Sequence, residues 1–250
     1  MWQTLESDPG LFTELIERLG VENVEVRELL SLDVDSLEQL GKVYGLLFLF
    51  KYRRREYTET SDQGVPAEQS NVIFAHQIAQ NACATQAILS VLLNTPGLDL
   101  GPQLSEFCEF VQHLDPESRG DAIAMSEFLQ TQHNFMCRPQ LMVNDGPTPI
   151  TSEEDDGLYH YIAYVPTEQG LFELDGLKQA PVFHGASSLE NMVKVVRKRV
   201  DRHRGDLRVS LLAVTQDMRQ VYEQRGQIDL LAFESIVYGI DFYAIKAVGK

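Results

Sequence analysis

Cysteine is scarce in this chain, with only Cys83, Cys108 and Cys137 among 250 residues. Three scattered thiols cannot build a disulfide framework, and no CxxC pair offers a zinc site. Long apolar runs are missing too. The longest strongly apolar stretch, Val43 to Phe50, has eight residues, whereas a membrane helix needs about 20. Met1 to Gly10 is acidic and lacks the basic-then-apolar pattern of a secretory leader. Positive charge is in deficit: 21 Lys and Arg face 37 Asp and Glu, a net charge of −16. As a whole such a chain repels nucleic acid and anionic membrane and attracts a basic protein partner. The same acidity also simply keeps a protein soluble. No Walker loop, dinucleotide glycine loop, HxxxH pair or EF-hand loop is present, so no metal or organic cofactor is expected. These absences predict a reducing interior, cytoplasmic or nuclear, where a reactive thiol stays free.

What is present reads as one sizeable core: 44% of residues are hydrophobic and 23% charged, ordinary for a globular domain. Ser7-Asp8-Pro9 starts a helix, Leu11, Phe12, Leu15, Ile16 and Leu19 recur at helical spacing, and Gly20 stops it. Val43 to Phe50 predicts a buried strand. The polar stretch Tyr57 to Ser70 reads as a loop, and Val72 to Ala75 as a short strand or extended entry. Cys83 to Leu93 is a strong helix with Asn81 as its expected cap. Leu104 to Leu114 and Met125 to Asn134 predict two more. Arg138 to Gly157, with its prolines, glycines and acidic cluster, reads as a long loop of the lid or binding type. Tyr159 to Val165 and Gly170 to Leu174 predict strands. Ser187-Ser188 caps a helix running to about Arg204, whose basic residues are expected on a solvated face, and Leu207 to Val214 is a last core strand.

A thiol attacks only as thiolate, and the first turn of a helix favours the anion. Cys83 has that position, although taken alone a cysteine there is more often a small buried packing residue. Catalysis also needs a base, and His160 is the candidate. If the two strands turn through Pro166 to Gln169, Val165 faces Gly170, paired positions sum to 335, and His160 lies opposite Asp175. Opposed side chains sit about 4.5–5.5 Å apart at Cβ, close enough for an aspartate to fix the imidazole's tautomer. The assumed register matters, because a one-residue slip would put the two on opposite faces. Gln77, six residues before Cys83, is the candidate amide donor for an oxyanion, converging with the Cys83 backbone N–H.

Phe74-Ala75-His76-Gln77, Asn81-Ala82-Cys83-Ala84-Thr85-Gln86-Ala87 and Leu92-Leu93-Asn94 together resemble the active-site block of the ubiquitin carboxyl-terminal hydrolases. The likeness extends from Glu6-Ser7-Asp8-Pro9-Gly10 through Val43-Tyr44-Gly45 and His133-Asn134 to Glu173-Leu174-Asp175-Gly176-Leu177. It covers about residues 2 to 223 and is nearest to the proteasome-associated type of that family. Two local departures stand out: tyrosines rather than phenylalanines flank His160, and Phe135 directly follows His133-Asn134.

The resemblance implies an α/β, papain-like cysteine protease fold, a central antiparallel sheet flanked by helices. It implies Cys83 as nucleophile, His160 as base and acid, Asp175 as orienting carboxylate and Gln77 as oxyanion donor, with ubiquitin as substrate and cleavage after its C-terminal glycine. It makes Arg138 to Gly157 a crossover loop over the site. The expected organisation is a catalytic domain over 1–223 and a short tail over 224–250. Proteasome association comes with the resemblance, but Gly226 to Lys250 is short and unlike the helical docking extension of that type. Two rivals remain at this point: a ubiquitin-binding module with an idle triad, and another papain-like hydrolase.

Overall fold

The computed structural model describes residues 1–52, the backbone of 65–66, and residues 70–137, 159–203 and 209–217. The expected crossover loop and C-terminal tail lie outside these residues, as does most of the loop expected before Ser70.

Asp8 caps α1 (Pro9–Arg18), accepting the Leu11 amide at 2.9 Å, and Gly20 ends the run in the left-handed region at φ +96°. Then come β1 (Val24–Glu28), α2 (Val34–Gln39), β2 (Val43–Lys51) and the two-residue β3 (Val65–Pro66). Four helices follow: α3 (Cys83–Leu92), α4 (Gly101–Val111), α5 (Pro116–Met125) and α6 (Glu127–Phe135). The chain closes with β4 (Tyr159–Thr167), β5 (Gly170–Leu174), β6 (Val182–Phe183), α7 (Leu189–Arg202) and β7 (Ser210–Gln216). Helix α5 has no counterpart among the sequence expectations, since its PESRGDAIAM sequence carries little apolar periodicity. Its Asp115 cap, accepting from Glu117 and Ser118 with Pro116 behind it, was the readable signal. Val72 to Ala75 forms no strand and is the extended entry.

The described strands form one antiparallel sheet in the order β1-β7-β2-β4-β5-β6-β3. Strand alternation sends Leu47, Leu49, Ala163, Val165, Phe172 and Leu174 to one side, where α1 and α3 pack. Leu46, Phe48, Phe50, Ile162 and Tyr164 go to the other, against Met192, Val193 and Val196 of α7. Each face is apolar, which is why β2 reads as a continuous apolar run.

The basic face of α7 is not uniformly solvated. Arg199 is buried, its guanidinium 4.9 Å from the Phe50 ring centre. Arg199 lies three residues after Val196, so helical spacing puts its stem on the apolar stripe.

Helix α3 sits hard against the sheet at Gly45. A Cβ there would come within 2.9 Å of the Tyr164 carbonyl and of a Val91 methyl. Gly45→Ala is therefore expected to destabilise the fold by about 1–3 kcal/mol, measurable as a lowered urea midpoint with unchanged m-value.

Candidate active site

Cys83 is the first residue of α3, and the preceding Ala82 supplies no side-chain cap. The first amides of a helix have no helical acceptors, so this terminus presents donors and positive dipole to the sulfur. Asn81 is not the expected cap. It takes a left-handed φ of +67°, and its amide reaches back to the Trp2 carbonyl at 3.4 Å. The helix beneath is fixed by buried polar bonds. Thr85 Oγ1 meets His133 Nδ1 at 2.7 Å, and Gln86 Nε2 donates to the Ala75 carbonyl at 2.7 Å.

His133, whose other ring nitrogen faces the Gln3 carbonyl at 2.7 Å, ties the N-terminal residues to this helix. Burial lowers its pKa below 6.5, against the opposing Gln3 bond. The folded state resists the proton that an unfolded chain accepts, so this contribution to stability is present above 6.5 and lost as pH falls through the depressed value. The melting temperature is expected to begin falling below pH 6.5, ahead of carboxylate titration, and His133→Gln should flatten that early fall. A pH series of calorimetric scans on both proteins checks this.

Strand β4 places His160, and the segment after β5 places Asp175. The register differs from the expected one. Thr167 pairs with Gly170 and Ala163 with Leu174, so paired positions sum to 337 and the turn is only Glu168-Gln169. Pro166 belongs to the strand rather than to the turn. It stands opposite Leu171, whose N–H donates to Gly185 and whose carbonyl accepts from His184, so the proline's missing donor costs no β4–β5 bond. Thr167 Oγ1 closes the turn on the Gly170 carbonyl at 3.0 Å. Because the slip is two residues, His160 and Asp175 keep a common face and become diagonal neighbours. His160 Nε2 donates to Asp175 Oδ1 at 2.7 Å, and both side chains are buried. The ring lies edge-on to Phe50, and its remaining nitrogen is left for the hydrogen bond with the Cys83 side chain.

Burial disfavours the His160 imidazolium, but the Asp175 charge and hydrogen bond, joined by Cys83, outweigh it and raise the pKa to about 9. Asp175 is lowered despite burial, principally by His160. The group therefore favours a protonated ring between a carboxylate and a sulfur.

Gln77 arrives beside this pair through its backbone: its N–H donates to the Gly176 carbonyl at 2.8 Å. Its side-chain amide makes a long bond, 3.4 Å, to the Ala79 carbonyl. Gly176 is the joint. A Cβ on it would lie 2.4 Å from Gln86 Nε2, 2.9 Å from Gln77 Cβ and 3.0 Å from Gln77 N. Gly176 and Gln86 stood in the sequence only as members of matched motifs, with no role assigned; the glycine directly after a candidate carboxylate was the available signal. Glu173 was missed as well, although its spacing puts it on the Asp175 face of the strand.

Comparison with known proteins places the chain in a family. Residues 2–203 match the family described as ubiquitin carboxyl-terminal hydrolase, family 1. Ubiquitin carboxyl-terminal hydrolase 2 of Schizosaccharomyces pombe is 41% identical over 87% of this chain and 74% of its own length. Ubiquitin carboxyl-terminal hydrolase isozyme L5 of Dictyostelium discoideum is 37% identical over 90% of this chain, which spans only 64% of that protein. The crystal structure of the Trichinella spiralis UCH37 catalytic domain, bound to ubiquitin vinyl methyl ester, superposes with a TM-score of 0.73 at 36% identity, covering 87% of this chain and 96% of that one. The fold, the matched span and these relatives agree: the chain belongs to the ubiquitin carboxyl-terminal hydrolase family 1, a family of cysteine-type deubiquitinases.

Proposed function

We propose that this protein hydrolyses the bond following the C-terminal glycine of ubiquitin, using Cys83, His160, Asp175 and Gln77. The observation that carries the proposal is the buried 2.7 Å His160–Asp175 pair, hydrogen-bonded on its other side to a cysteine at a helix start. His160 holds the proton taken from Cys83, and the sulfur attacks the carbonyl carbon of the terminal glycine. The Cys83 N–H and the Gln77 amide donate to the oxyanion as it forms. His160 then protonates the leaving amine, and the C–N bond breaks to leave a thioester. A water, deprotonated by His160, attacks that thioester and releases ubiquitin with a free carboxylate and Cys83 as thiolate beside the reprotonated ring. Asp175 keeps Nε2 as the donor nitrogen throughout. The relative bound to ubiquitin vinyl methyl ester supports ubiquitin as the substrate, and the net charge of −16 suits a partner with a basic face.

The test uses ubiquitin carrying a fluorogenic C-terminal amide, and ubiquitin vinyl methyl ester as a trap. Turnover and one covalent adduct, mapped by peptide mass to Cys83, are expected, with Cys83→Ala as the unreactive control. Binding without turnover or adduct would replace hydrolysis by recognition alone. Turnover that survives in the control would remove Cys83 from the chemistry.

A further inference from the structure

Asp175 lies one residue beyond Leu174, the last β5 residue paired with β4, so the sheet ladder does not itself fix its carboxylate. A tight turn follows: the Leu177 N–H donates to Asp175 Oδ1 at 3.0 Å, and the Lys178 N–H donates to the Asp175 carbonyl at 2.9 Å. The turn is bridged by side chains. Lys178 Nζ reaches back over it to Glu173 Oε1 at 2.6 Å, and His184 Nε2 lies 3.2 Å from Glu173 Oε2. Lys178 and Glu173 are nearly buried, their side chains only 9% and 4% exposed. Glu173 sits on the rigid part of β5, paired with Tyr164 and Val182, so it is a fixed post. Lys178, His184, Arg199 of α7, Tyr164 and Asp175 all face it.

A buried ion pair is a poor source of net stability, because desolvation offsets most of the attraction. It does fix a distance between the two elements that carry it. Here those elements are the sheet and the far end of the turn that holds Asp175. We propose that Glu173, Lys178 and His184 form a positioning clasp that sets the Asp175 carboxylate, and through it the His160 ring. This rests on the hydrolase reading above. The clasp residues do not meet the reacting atoms; they act through the turn. A small displacement of the carboxylate is costly because proton transfer depends on sub-ångström alignment.

The experiment compares the wild type with Lys178→Met, Glu173→Gln and the double variant, by steady-state hydrolysis of the fluorogenic ubiquitin amide from pH 5 to 10 and by thermal unfolding. Lys178→Met leaves the buried Glu173 with His184 and Arg199 alone, and Glu173→Gln leaves Lys178 without its carboxylate, so each single variant is expected to lose stability. The double variant removes both charges and should recover most of it. Its kcat is nevertheless expected to stay about tenfold low with KM within about twofold of wild type. Its alkaline limb should move to lower pH, as a loosened Asp175 holds the His160 proton less firmly. A double variant with wild-type kcat and an unmoved pH profile would overturn the clasp alone and leave the hydrolase reading standing. An inactive wild type would overturn that reading, and the clasp with it.

Discussion

Gly176→Ala is expected to lower kcat/KM by about 10²–10³-fold while costing the fold only about 1–3 kcal/mol. The added methyl has nowhere to go. It would meet the Gln86 amide nitrogen at 2.4 Å and, on the Gln77 side, Cβ at 2.9 Å and the backbone nitrogen at 3.0 Å. Three responses are available, and each disturbs the site. If Gln86 swings away, it abandons the Ala75 carbonyl it holds at 2.7 Å, on the approach to Gln77. If the Gln77 backbone recedes, its 2.8 Å bond to the Gly176 carbonyl breaks and the candidate oxyanion donor moves. If the turn recedes instead, Asp175 goes with it. Adding Gln86→Ala separates these responses, because it clears the closest contact but leaves both Gln77 contacts. Partial recovery in Gly176→Ala/Gln86→Ala, with kcat still well below wild type, is expected. Full recovery would assign the whole effect to Gln86 packing. Stopped-flow measurement of adduct formation with ubiquitin vinyl methyl ester would show whether the loss lies in sulfur attack.

The parts of this fold that were legible in the sequence are those with local causes. α1 begins where Asp8-Pro9 says it should, and Gly20 ends it, because capping and φ are properties of a few adjacent residues. β2 and α3 were legible as apolar runs with clear ends, β2 between Gly41 and Lys51 and α3 before Asn94-Thr95-Pro96-Gly97, although α3 is buried nearly all round rather than on one stripe. Helix α5 was not, because its stability comes from a cap and from neighbours rather than from an apolar stripe of its own. Asn81 was misassigned for a related reason. Asparagine is both a good cap and a good left-handed residue, and only the position of Trp2 decides between them.

The candidate site was partly legible for a reason that survived a mistake. The expected turn, Pro166 to Gln169, was two residues too long, both taken from β4: Pro166 and Thr167 belong to the strand. Proline is excluded only where its N–H is needed, and opposite Leu171 it is not. A two-residue error preserves side-chain parity, so His160 and Asp175 remained on one face and meet at 2.7 Å. Gln77 was legible only as a residue type before a cysteine. The bond that anchors it, to Gly176, joins positions 99 residues apart by number, which no local pattern encodes. Glu173, Lys178 and His184 were silent for the same reason: each is an ordinary polar residue until the turn folds one toward another.

Asp175→Asn should separate the two things the carboxylate does for His160, because it keeps shape and removes charge. Asp175 Oδ1 accepts from both His160 Nε2 and the Leu177 N–H, at 2.7 and 3.0 Å. An asparagine carbonyl can take both bonds, so the turn and ring should stay in place. The electrostatic support does not stay. Burial is the strongest single influence on His160 and opposes its charge; Asp175 is the principal reason its pKa lies near 9 instead. Without that charge the ring should give up its proton well below 9, with only Cys83 left to oppose burial. The alkaline limb of kcat/KM should therefore move from about 9 to lower pH, with about 10²–10³-fold less activity at pH 8 and partial recovery on acidification. Stability follows the same sign. The raised His160 pKa contributes stability that is fully present below 6.5 and lost as pH rises through 9, so the wild-type melting temperature should decline across that window and the variant's should not. A variant whose pH profile keeps its shape and merely loses height would mean that Asp175 orients the ring without charging it, and the raised pKa of His160 would then owe its origin to the Cys83 sulfur.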